Sequence, residues 1–143
     1  MGEPEGTRRS NLEIEAVDPR DGSRTTVIIS HDRLQAVARC GEAHIHEAAN
    51  IVPEILLRPQ AVFEGLCEDT DEDRRGVGWR CYCGIPSRAF CKDGSERPAY
   101  RGQVYLVFVN ADRVAYNWRW EKGDENAPNL PIGYETRFKR RLL

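Results

Sequence analysis

The sequence predicts an α+β fold in which two N-terminal helices pack on an antiparallel sheet of about four or five strands, with an extra N-terminal β-hairpin. Three observations carry this. The first is the stretch Gln103 to Glu121, QVYLVFVNADRVAYNWRWE. Its first half is an unbroken β-branched and aromatic run, as in a strand buried on both faces. Its middle, Asn110 to Arg113, has turn chemistry, because Asn and Asp side chains bond their own backbone. In its second half Val114, Tyr116, Trp118 and Trp120 alternate with Ala115, Asn117, Arg119 and Glu121, the period-2 pattern of a strand with one packed and one polar face. The second observation is helical spacing in Ile45, Ala48, Ala49, Val52, Ile55 and Leu56. The third is segregation, since the helical patterns precede most of the strand patterns.

Residues 1–9 mix Gly, Pro, Glu and Arg without period and read as a disordered leader to a single domain over 10–143. Leu12, Ile14 and Ala16 alternate with Glu13 and Glu15, Asp18 to Gly22 is a turn, and Thr25 to Ile29 is β-branched again. Those signals make the first hairpin. Ser30 or Asp32 caps a short helix carrying Leu34, Val37 and Ala38, which Cys40-Gly41 ends. The second helix follows directly, with His46, Glu47, Asn50 and Glu54 on its polar face. Pro53 lacks a backbone donor and crowds the preceding turn, so a kink or a new segment is expected near Val52. Ala61 to Leu66 reads as a strand, the acidic run in Glu68 to Asp73 as a solvated loop, and Trp79 to Cys83 as a further strand. The acidic run lacks the spacing of a calcium loop. Gly84 to Arg101 reads as a long connection or flap, GDENAPNLP as a loop, and Tyr134 to Phe138 as a short extended or helical segment.

With 143 residues, 31% of them charged, and a formal net charge of −2, the chain is large enough for one core and is not a generally basic, nucleic-acid-coating protein. No apolar stretch is long enough to span a bilayer, and the first residues have no apolar core of a signal peptide, so a cytoplasmic location without membrane contact is expected. Five cysteines then read as reduced thiols.

Three groupings bear on chemistry. His44 and His46 flank the start of the second helix and offer the best acid/base candidates, because imidazole in general is the side chain that changes charge nearest neutrality. Two residues apart on a helix, they do not share a face and are poor joint metal ligands. Cys81 and Cys83, with Cys91 and Cys67, suggest zinc, but C-x-C in an alternating strand puts both thiols on one face among core residues. No metal or cofactor is expected. The third grouping is Arg80, Asn117, Arg119, Tyr134, Thr136 and Arg137, cationic and hydroxyl groups that can converge on one sheet face. Guanidinium groups beside a His suit phosphoryl transfer on RNA, because charge developing on phosphate needs fixed donors and the 2′-hydroxyl needs a base.

A His-bearing helix, AHIHEAANIVPEILLRPQAVFEG, followed by strands ending in VYLVFVNADRVAYNWRW, resembles the barnase/colicin/RelE-like (BECR) ribonuclease fold, in particular its phage and polymorphic-toxin branch. The resemblance spans about His44 to Phe138. It implies metal-independent cleavage of RNA by combinations of His, Arg, Lys, Glu, Tyr and Ser/Thr. Carried onto this chain, His44 or His46 is the base or acid, Arg80, Arg119 or Arg137 holds the phosphate, and Asn117, Tyr134 and Thr136 contact substrate. The expected partners are RNA, or an inhibitory or scaffold protein. The alternative is a non-catalytic protein-interaction domain using a sheet edge or the Gly84 to Arg101 flap, and a zinc-binding domain comes after it. The ribonuclease reading requires a histidine and Arg119 to face a common cleft.

Overall fold

A computed structural model describes residues 11–66 and 80–143. The expected leader, the acidic run after Leu66, Cys67 and Trp79 lie outside the described residues. The chain begins with an antiparallel pair, β1 (Leu12–Val17) and β2 (Arg24–Ile29). Its turn is tied by Asp18, whose Oδ1 accepts the Arg20 backbone N–H at 2.9 Å. Helix α1 (His31–Ala38) starts where the Ser30 hydroxyl accepts the Arg33 N–H at 3.1 Å, the capping its sequence announces.

Helix α2 runs over 42–57 as α-helical Glu42–His46, a wide π turn at Glu47–Ile51, and α-helical Val52–Leu57. The new segment expected near Pro53 is therefore present. Pro53 sits in the first turn of the last segment, and the chain absorbs its missing N–H and bulky ring by widening the turn before it. The extra residue shifts the buried face. Glu47, Ala48, Ile51, Val52, Ile55 and Leu56 point inward, while Ile45 is 37% exposed and Ala49 is exposed. A regular helix would have kept Glu47 on the wet side.

The main sheet has six strands in the order β10-β3-β4-β7-β8-β9, each neighbour antiparallel. They are β3 (Ala61–Leu66), β4 (Arg80–Gly84), β7 (Gln103–Val109), β8 (Ala115–Asp124), β9 (Ala127–Pro131) and β10 (Phe138–Arg141). A minimal hairpin, β5 (Ala89–Phe90) with β6 (Glu96–Arg97), lies in the predicted flap. This corrects the predicted fold class. With 45% strand and 24% helix, the chain is a curled six-stranded sheet with one long helix, not two N-terminal helices on a four- or five-stranded sheet. The main difference lies after Lys122, where GDENAPNLP is not a loop. β8 continues to Asp124, a tight turn forms with the Asn126 N–H on Asp124 Oδ1 at 2.8 Å, and β9 returns as an edge strand, a position that tolerates Pro128 and Pro131. Short helix α3 (Tyr134–Arg137) then carries the chain to the other edge, β10.

The two faces of the sheet bury separate cores. On one, Val62, Tyr82, Tyr105, Val107, Val109 and Trp118 pack with α2 and the first hairpin. On the other, Phe63, Cys81, Cys83, Leu106 and Phe108 are covered by Leu130 of β9 and Phe138 of β10 as the sheet curls over. The first hairpin is joined to the sheet by the Ile28 N–H on the Arg113 carbonyl at 2.9 Å.

The β7–β8 turn matches its sequence. Asn110 Oδ1 accepts the N–H groups of Asp112 and Val114 at 2.9 and 3.1 Å, and Arg113 takes a left-handed φ of 63°. The alternation predicted for β8 breaks, however, at a bulge beside Val109. Ala115 and Trp118 share the helix-facing core, and Tyr116 crosses to pack near Phe108 on the other face.

Candidate functional site

β8 places Arg119 and Glu121 two residues apart, so both leave the same face of the strand, opposite Leu106 and Val104 and therefore on the face away from α2. α3 delivers Arg137 to the same point. Arg119 Nε donates to Glu121 Oε2 at 2.7 Å, Arg137 Nη2 donates to the same oxygen at 2.8 Å, and Arg137 Nη1 donates to Oε1. The second guanidinium thus grips the carboxylate with two donors, the geometry that makes Arg–carboxylate pairs strong. Each guanidinium also lies over an aromatic ring, Arg119 over Phe108 at 4.7 Å and Arg137 over Phe138 at 5.6 Å. The side chains are 36, 19 and 28% exposed for Arg119, Glu121 and Arg137, so the cluster is partly sheltered but reachable. Burial pushes the Glu121 carboxyl up; the hydrogen bonds and charge of Arg137, then of Arg119, outweigh it and hold the group below the ordinary carboxylate range. Glu121 is ionised at neutral pH.

Tyr134 and Thr136 stand on α3 beside this cluster. The Tyr134 ring packs 6.1 Å from Phe63, its hydroxyl donates to Glu135 Oε1 at 3.2 Å, and the Thr136 hydroxyl donates to the Gly133 carbonyl at 3.2 Å. Shallow depressions open on both sides of Tyr134, one towards Asp124 and Thr136, the other towards Phe63 and Arg141.

The other predicted residues lie elsewhere. His44 is exposed on α2, and His46 stacks on Phe90 with ring centroids 5.1 Å apart. Both belong to the helix-covered side of the sheet, so neither shares a cleft with Arg119 or Arg137. Arg80 is 4% exposed and structural in its contacts, with Nη2 3.4 Å from Asp18 Oδ1 and Nη1 3.4 Å from the Tyr82 hydroxyl, which itself donates to the Val17 carbonyl at 2.9 Å. It ties the first hairpin to β4. Asn117, at the bulge, accepts from Arg33 Nη2 of α1 at 3.4 Å. Of the eight predicted residues, Arg119 and Arg137 meet at Glu121, Tyr134 and Thr136 stand on α3 with Arg137, and Asn117 shares the β8 face of Arg119 at its bulged end, turned to Arg33 of α1, whereas His44, His46 and Arg80 lie on the helix-covered side.

Two glutamates carry more of the polar architecture than the sequence reading assigned them. Glu121 has a sequence signal, its alternation with Arg119, but a polar pair on a strand reads as a solvent face. Glu47 has none, because the π turn that buries it is invisible to a helical periodicity of 3.6. Its Oε1 accepts the Tyr105 hydroxyl at 3.0 Å, and burial raises its pKa against the opposing effect of that hydrogen bond. Cys81 and Cys83 point into the second core, and burial raises both thiols, Cys83 to about 12. Among the described residues, no three His, Cys, Asp or Glu side chains are grouped to hold a metal ion, and no helix is long and apolar enough to cross a membrane.

Comparison of the chain with protein-family models, with curated proteins and with solved structures gives no match.

Proposed function

We propose that the chain is a metal-independent, RNA-cleaving domain of the BECR type that uses Glu121 as general base; the histidine-based form expected from the sequence fails, because His44 and His46 lie behind the opposite face of the sheet from Arg119. The observation that carries this reading is one ionised carboxylate clasped by two guanidiniums on a partly exposed face of the sheet. Glu, Arg, Tyr and Thr all belong to the residue types such enzymes employ. In the proposed step Glu121 takes the proton of a ribose 2′-hydroxyl and the 2′-oxygen attacks the adjacent phosphorus. The P–O5′ bond then breaks, leaving a 2′,3′-cyclic phosphate, and the departing 5′-oxygen takes a proton from water. Arg119 and Arg137 stabilise the charge that develops on the phosphate oxygens. As the phosphate draws the guanidiniums towards itself, their hold on Glu121 weakens and its basicity rises.

The test is incubation of purified protein with RNA in the presence of chelator, with detection of cyclic-phosphate ends. Glu121→Gln should lower the rate by about 10²–10⁴-fold, the range for loss of a general base. His44→Ala should cleave as the wild type does. Intact transfer, ribosomal and messenger RNA after long incubation would remove the reading and leave the non-catalytic interaction domain in its place.

A further inference from the structure

Beside the Glu121 cluster, the chain between α3 and its C-terminal end has a second feature that the proposed chemistry does not use. Tyr134, Lys139, Arg140 and Arg141 surround a depression of about 220 Å³ floored by Phe63 and Phe138. The floor is rigid, since the two rings stack at 4.4 Å with only 12° between their planes and are 2% and 4% exposed. The rim is different in kind. Lys139, Arg140 and Arg141 are all exposed, and one acidic side chain, Glu135, joins them around the depression. The Arg141 guanidinium leans over the Phe63 ring at 5.9 Å while its Nε donates to the Leu143 carbonyl at 2.7 Å, which fixes its direction. Arg140 is held 3.0 Å from Glu64, so Lys139 and Arg141 supply the net positive charge.

We propose that this depression is the binding track for single-stranded RNA flanking the bond to be cleaved, with one unpaired base against Tyr134 and the neighbouring phosphates on Lys139 and Arg141. The inference rests on the ribonuclease reading for the identity of its ligand and deepens it by naming the substrate class. A half-exposed ring beside cations, one of them held in place, recognises a splayed base with its backbone, because stacking requires an unpaired π-face and the phosphates need point charges alongside. A paired base keeps its faces inside its own helix and cannot use Tyr134. Arg137 joins the two features, since it grips Glu121 and is followed directly by Phe138 of the floor. A strand lying in the track is thereby led towards the base.

The experiment uses the full chain and a fluorescent single-stranded oligonucleotide with 2′-O-methyl riboses, which binds but cannot be cleaved, read by anisotropy at fixed salt. The single strand should bind at least tenfold more tightly than the duplex of the same sequence. Tyr134→Ala should weaken it by roughly tenfold, as loss of one stacked base does, and Tyr134→Phe, which keeps the ring, should bind as the wild type. Lys139→Ala with Arg141→Ala should weaken binding and flatten its salt dependence by about two phosphate contacts. Glu121→Gln, which releases Arg119 and Arg137, should bind at least as tightly as the wild type, so loss of cleavage without loss of binding tests the base and not the track. If the wild type binds in this pattern yet cleaves nothing, the catalytic reading fails and the track stands. Equal binding of duplex, equal binding by Tyr134→Ala, or displacement by an acidic peptide of equal charge would overturn the track.

Discussion

Tyr105→Phe isolates the buried polar contact beneath α2. The Tyr105 side chain is fully buried, and its hydroxyl donates to Glu47 Oε1 at 3.0 Å. The phenylalanine ring fills the same space and keeps the edge contact with Trp120 at 5.3 Å, so the substitution removes a donor without opening a cavity. What remains is a buried carboxylate deprived of that donor. Leaving a buried acceptor unsatisfied costs about 1–3 kcal/mol, which in a domain of this size lowers Tm by roughly 3–10 °C. The loss should depend on pH. Burial raises the pKa of Glu47, so the folded state holds that proton more tightly than the unfolded state does. The stability linked to this group is therefore complete below the unfolded pKa and declines as pH rises through the folded one. Glu47→Gln should accordingly match or exceed the wild type at pH 7 and lose its advantage in acid, where the wild-type carboxyl is itself neutral. Thermal denaturation of wild type, both single variants and the double variant at pH 7 and pH 4 measures all of this. An unchanged Tm for Tyr105→Phe at both pH values, or a Glu47→Gln variant less stable at neutral than at acid pH relative to wild type, would refute the reasoning.

Glu121 should show the opposite sign on the other face. Its folded pKa is depressed, so its contribution is present above the unfolded pKa and lost as pH falls through the folded one; Glu121→Gln removes one linked proton and should make the acid transition shallower, read by circular dichroism during pH titration. Leu106→Ala, at a fully buried position of the central strand, should destabilise by about 2–5 kcal/mol in chemical denaturation. Ser30→Ala removes the α1 cap and should cost about 1 kcal/mol by the same assay. In thiol alkylation followed by mass spectrometry, exposed Cys40 should react in the native protein, whereas Cys81 and Cys83 should stay unmodified until denaturant is added. Early labelling of Cys81 would contradict a closed second core.

The parts of this fold that local chemistry decides were legible in the sequence. Asn110 to Arg113 makes the expected turn, Ser30 caps α1, and the apolar run of β7 is buried on both faces. What escaped depends on pairing and on single-residue changes of phase. Pro128 and Pro131 look like loop residues until an edge strand is available to receive them. The bulge beside Val109 separates Tyr116 from Trp118, although strict alternation joins them. The candidate site was half legible for the same reason. Arg119 and Arg137 are distant in sequence from the histidines, and only the curl of the sheet decides that these two meet at Glu121 while His44 and His46 remain behind the opposite face.

The π turn of α2 also sets the aim of everything before it. One residue occupies about 100° of a regular helix, so the surplus residue at 47–51 rotates His44 and His46 by about that angle relative to the segment anchored on Ile55 and Leu56. Deleting exposed Ala49 would let the helix wind evenly and leave Glu47 seven residues, about two regular turns, before Ile55, so the carboxyl would stay on the inward face beneath Tyr105. The surplus residue is thus what lets a helix one residue too long present both Glu47 and Ile55 to the core.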